Sequence, residues 1–93
     1  MTADTLRRLL ELTPLPPDGD DVDALVAAFT TMYEARQRVL AEARGPVDDS
    51  ADARAAVHEL AKRDAAWATA LTSAFERIGA ARRNASRLRS YAR

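Results

Sequence analysis

The sequence predicts an all-α protein: an antiparallel helical hairpin with a long C-terminal helix and a short N-terminal one. Three observations lead there. No stretch alternates Val, Ile or Thr with polar residues at period two, so the pattern of a half-buried strand is missing. Two groups of helix breakers, at residues 14–19 and at Gly45-Pro46, cut the chain into three pieces. Within the two longer pieces, apolar residues recur at steps of three and four, the spacing of one helix face.

The first helix is expected over residues 3–12, with Thr2 as its N-cap. Pro14, Pro16, Pro17 and Gly19 then force an extended joint. The second helix is expected over residues 21–43. Asp20 or Asp21 caps it, and the acids suit the positive end of its dipole. Gly45-Pro46 stops it. The third helix is expected over residues 49–91, starting at Asp48, Asp49 or Ser50 and meeting no further proline. At 1.5 Å rise per residue its length approaches about 60 Å. Gly79 weakens it by roughly 1 kcal/mol relative to Ala without ending it. All 93 residues are expected to form a single helical domain.

The heptad pattern sets the expected packing. In the third helix the seam runs Val57, Leu60, Asp64, Trp67, Leu71, Ala74, Ile78, Ala81, Ala85, Leu88. In the second it runs Val22, Leu25, Phe29, Met32, Arg36, Val39, Ala43. Folding the chain tightly at Gly45-Pro46 sets Phe29 near Ala65 and Trp67, and Arg36 near His58. On that register the second helix reaches only to about Leu71, leaving the end of the third helix bare. The first helix can cover it, with Leu6 beside Leu88 and Leu9 and Leu10 near Ala85; the proline joint is then a kink in one long arm. In the alternative the first helix folds back elsewhere and the tail stays free. Val26, Tyr33 and Leu40 form a second apolar column beside the seam, and Phe75 flanks the seam on the other arm. A face this broad is what a helix with more than one neighbour carries.

Composition narrows the function classes. Of the apolar residues 21 are Ala and only five residues are aromatic, so the core is thin and a partner chain would add to it. The absence of Cys excludes disulfides and thiolate metal sites and fits a reducing cytoplasm. No apolar run approaches the ~18 residues of a membrane span, and the charged N-terminus does not read as a signal peptide. Net charge is zero but uneven. Asp18, Asp20, Asp21 and Asp23 form an acidic cluster, whereas from Glu76 onward six arginines face that one acid.

Candidate chemistry is sparse. His58 is the single histidine, without a second His or Cys to complete a metal site, and it reads as a solvated or paired side chain. No phosphate loop, nucleophile elbow or metal-ligand spacing occurs, so no catalytic, cofactor or metal residue is assigned and no enzyme activity is expected. Arg36 and Asp64 interrupt the two seams. On the tight-turn register they sit about six residues apart, roughly 9 Å along the axis, and they read as register or specificity residues. Arg82 and Arg89 flank the third-helix seam on one side and Arg77 on the other, while Arg83, Arg87 and Arg93 point outward. Only Tyr91 could serve them as an aromatic platform, so an acidic protein is favoured over nucleic acid as their partner. The expected partner-binding residues are Phe75, Ile78, Ala81, Ala85 and Leu88, with Tyr33 on the second helix. In this reading Leu6, Leu9 and Leu10 shield that stripe until a client helix replaces them. A homodimer is the other way to cover it.

The segment LVAAFTTMYEARQRVLAEAR, residues 25–44, resembles a helix of the FliT and FlgN class of flagellar export chaperones, in which an apolar heptad leads to an Arg and then a hydrophobic pair. Arg36, Val39 and Leu40 match that pattern. Residues 60–91 resemble the long following helix of that class, with LAKRD placing Asp64, then Leu71, Phe75 and Ile78, and the closing basic run RRNASRLRSYAR. The resemblance covers about two thirds of the chain and leaves out the first helix and its PLPPDGDD joint. It implies a cytoplasmic type III export chaperone that holds amphipathic helix-forming termini of flagellar axial or cap proteins, without nucleotide or metal. The competing expectation is a generic coiled-coil adaptor or dimerisation module with no export role.

Overall fold

In the computed structural model, which describes residues 1–91, three helices follow one another: α1 (Ala3–Glu11), α2 (Val22–Glu42) and α3 (Ala51–Tyr91). Ala92 and Arg93, which close the basic run, lie outside the described residues. The molecule measures 64 × 22 × 20 Å, its long axis set by α3.

Each helix starts where a side chain satisfies a free backbone donor. The hydroxyl of Thr2 accepts from the Thr5 amide at 3.2 Å. The Asp21 carboxylate accepts from the Ala24 amide at 3.0 Å. Of the three candidates for α3, Ser50 caps it, its hydroxyl accepting from the Ala53 amide at 3.2 Å. Gly45 adopts φ +80° just beyond α2, and Gly19 adopts φ +118° where the joint turns into it; both values favour a residue without a Cβ. The α3 helix passes through Gly79 unbroken.

The hairpin forms, but in a different register from the one a tight turn implies. Arg36 lies against Asp64, not His58. From that pair α2 runs six more residues to Glu42, whereas α3 reaches back thirteen to Ala51. The start of α3 therefore overshoots the end of α2 by about 10 Å. The connection is an eight-residue climb over residues 43–50, not a tight turn. This brings the start of α2 alongside α3 at Ala74, where Leu25 packs, rather than only to Leu71, and Asp20 just before α2 meets the Arg77 guanidinium at 2.6 Å.

The overshoot creates the seat for α1. Leu6 and Leu9 are buried with Val39, Ala53 and Ala56, and Leu12 and Leu60 pack around them. The expected placement of Leu6 beside Leu88, and of Leu9 and Leu10 near Ala85, is wrong: α1 lies at the opposite end of α3. Small side chains at Ala53 and Ala56 let α1 approach closely, so here they form the seam, and Val57 is left exposed. The Met1 ammonium donates to the carbonyls of Arg44, Gly45 and Pro46, and the Met1 carbonyl accepts from the Asp48 amide, tying α1 to the climbing loop.

The proline joint is also not a free hinge. Thr13 is wholly buried, with its hydroxyl donating to the Leu9 carbonyl at 2.7 Å. Arg63 donates to the carbonyls of Leu10 and Thr13 at 3.2 and 3.0 Å, closing the end of α1. Trp67 donates its indole N–H to the Pro14 carbonyl at 2.7 Å. Proline supplies no backbone N–H of its own, so the joint can lie along α3 while needing few donors satisfied. A second core forms beside it from Leu25, Met32, Trp67 and Ala74, with Phe29, Ala70 and Leu71 half-buried around them. Beyond Ile78, residues 81–91 of α3 are exposed on every face.

Candidate partner-binding surface

The two sides of the hairpin are covered unequally. Both α1 and the joint lie on one side, where Trp67 and Arg63 hold the joint's carbonyls. The other side holds an open groove of about 350 Å³ whose lining comes only from α2 and α3. Phe29, Tyr33 and Leu40 form one wall, and Trp67, Ala68 and Leu71 the other. Phe29 stacks on Tyr33 with centroids 6.0 Å apart and tilts against Trp67 at 5.9 Å. Trp67 thus has two roles: its N–H is spent on Pro14, and its ring, 2 % exposed, backs Phe29 at the floor of the groove.

One polar pair crosses this apolar lining. The Arg36 guanidinium donates to both Asp64 carboxylate oxygens, at 2.7 and 3.4 Å. The Arg36 side chain is 20 % exposed and that of Asp64 45 %. A bidentate pair of this kind has one satisfied geometry, which suits a register element better than an anion site, since the guanidinium is already occupied.

The expected partner residues separate into two places. Tyr33, 51 % exposed, sits in the groove. Phe75, 60 % exposed, stands one turn beyond Leu71. Ile78 is half-buried near the start of α2, and Ala81, Ala85 and Leu88 lie on the bare end of α3. No leucine of α1 covers them, so the shield expected of Leu6, Leu9 and Leu10 does not form. The groove residues Phe29, Leu40, Ala68 and Leu71 were not among those assigned to a partner. Their signal was present in the column of Val26, Tyr33 and Leu40 beside the seam, all three of which are exposed.

No family model matches this chain, and no curated protein or solved structure matches it. The chemistry of the surface is therefore read from its own residues. Among the described residues no three His, Cys, Asp or Glu side chains gather as a metal site, and His58 is exposed on α3. Among the described residues no helix is long and apolar enough to cross a membrane. The Glu59 carboxyl is held below its ordinary value, first by its hydrogen bond from Arg63 and then by the charge of Lys62. Arg63 is the residue that closes α1, so this displacement belongs to the scaffold rather than to the groove.

What the groove offers is an aromatic-walled trough along two antiparallel helices, open at the side away from α1.

Proposed function

We propose that this chain is a helix-binding protein, not an enzyme, whose α2–α3 groove receives the apolar face of an amphipathic helix from another polypeptide. The observation that carries the reading is the groove wall on the uncovered side of the hairpin, where exposed Tyr33 stacks on half-buried Phe29 and the buried Trp67 ring backs Phe29 from α3. Large apolar side chains held rigidly at an open trough contribute contact area at little entropic cost, which is the character of binding hot spots. Behind the groove, Arg63 and Trp67 tie α1 and the joint to α3 through the carbonyls of Leu10, Thr13 and Pro14.

The narrower reading follows the resemblance of residues 25–44 and 60–91. The chain acts in the cytoplasm as a type III export chaperone, and its clients are the helix-forming termini of flagellar axial or cap proteins. Holding such a segment in the groove keeps its apolar face from self-association before export. The competing reading is a generic coiled-coil adaptor or dimerisation module in which a second copy fills the same trough.

Titration of peptides covering the terminal helices of flagellar cap and hook-associated proteins tests the proposal, with Trp67 fluorescence as the readout. Binding at a 1:1 ratio that Tyr33→Asp abolishes, with helicity unchanged, is expected. If none of these peptides binds while unrelated amphipathic helices do, the export role fails and the helix-binding role stands. If no helix binds and the chain sediments as a dimer, the dimerisation module is correct.

A further inference from the structure

The groove side of α3 does not stop where the groove stops. Asp64, Ala68 and Leu71 line it, and Phe75 follows on the same column, exposed. The spacing then continues, by alternating steps of four and three, through Ile78, Arg82, Ala85 and Arg89 on the bare end of the helix. A partner helix lying in the groove and following α3 thus meets aromatic and aliphatic surface first. It then meets two arginines seven residues apart, one on each of two successive heptads. No acid occurs in α3 beyond Glu76, and neither Arg82 nor Arg89 forms an ion pair among the described residues. The chain's own acidic joint reaches only Arg77, through Asp20.

We infer that the partner helix carries a matching asymmetry: an apolar stripe followed, in the same stripe, by two acidic residues seven positions apart that pair with Arg82 and Arg89. The inference rests on the helix-binding reading and adds the chemistry of the partner. From Asp64 to Arg89 the column spans about 38 Å, so the partner helix has about 25 residues or more. Charge decides against a second copy on this stretch. Residues 77–91 of a second copy hold five arginines and no acid, so laid on this stripe they bring like charge to Arg82 and Arg89 and nothing to pair with them. Like charges so placed oppose association, whereas acids at the two heptad positions favour it and speed encounter. Nucleic acid is disfavoured because phosphate recognition has no use for the apolar column that leads to the arginines.

Three designed amphipathic helices test this. Each has about 28 residues, lacks Trp, and carries the same apolar stripe; two positions seven apart at one end are Glu, Gln or Lys. Titrated into the whole chain at low salt, the Glu helix is expected to bind about fivefold or more tightly than the Gln helix, and the Lys helix more weakly. With Arg82→Glu/Arg89→Glu, which alters only exposed positions, the order should reverse in favour of the Lys helix. Equal binding of all three helices to the parent chain, or an unchanged order in the charge-reversed variant, overturns the inference while leaving the groove reading in place. Absence of binding by any helix removes both. A dimer of the parent chain that Arg82→Gln/Arg89→Gln tightens would place a second copy on this stripe and overturn the inference. So would a DNA duplex that displaces the Glu helix.

Discussion

The indole N–H of Trp67 donates to the Pro14 carbonyl at 2.7 Å, linking the middle of α3 to a joint 53 residues earlier in the chain. That one bond lies between the two sides of the molecule. On one side it holds the joint down; on the other the same ring walls the groove against Phe29. Trp67→Phe keeps most of the ring and leaves the Pro14 carbonyl without its donor. A loss of about 1–2 kcal/mol in urea unfolding is expected, with helix-peptide binding within about twofold of the parent. Trp67→Ala removes the ring as well, costs about 3–5 kcal/mol, and should weaken binding beyond what unfolding explains.

The first helix is part of the core. Leu9 is 2 % exposed against Val39, Ala53 and Ala56. Leu9→Ala should destabilise the chain by about 2–4 kcal/mol. Removing α1 entirely should lower the melting temperature rather than tighten client binding, because α1 covers no part of the Ile78–Leu88 stretch. Tighter binding by a stably folded truncation would show that α1 does reach that stretch in solution.

Arg36 is the more buried member of its pair, so the two single substitutions should differ. Asp64→Ala leaves a largely buried guanidinium without its acceptor and should cost about 1–3 kcal/mol. The double variant Arg36→Met/Asp64→Ala should recover part of that loss, since both charges are then gone. A double-mutant cycle by chemical denaturation measures the coupling. Additive single effects would mean the pair contributes nothing to the register.

Glu59 links stability to pH. Its carboxyl is held below the ordinary value of 4.5, first by the Arg63 hydrogen bond. A carboxyl depressed by folding contributes stability that is present above its unfolded value and is lost as pH falls through its folded value. The gap in stability between the parent and Glu59→Gln should therefore be constant near neutral pH and close as the pH falls through and below 4.5. Thermal melts of both proteins across that window check it. A gap that persists at the acid end would assign the effect of Glu59 to packing rather than charge.

Local signals in the sequence determined the elements. Thr2, Asp21 and Ser50 cap helices because a short polar side chain there reaches a free amide two or three residues on, a matter of neighbouring residues alone. The breakers at residues 14–19 and 45–46 act through φ restriction and missing donors, again locally. The apolar column of Val26, Tyr33 and Leu40 was legible as a second face, and the structure leaves it exposed beside the groove. Register and the seat of α1 were decided only in three dimensions. A tight-turn reckoning pairs Arg36 with His58, and nothing in the spacing tells a tight turn from an eight-residue climb. The climb exists because α1 fills the space it opens, with Leu6 and Leu9 against Ala53 and Ala56. Arg63 and Trp67 direct α1 there by taking the carbonyls of Leu10, Thr13 and Pro14. Those bonds join residues some fifty positions apart through backbone oxygens, which every residue carries and no sequence pattern marks.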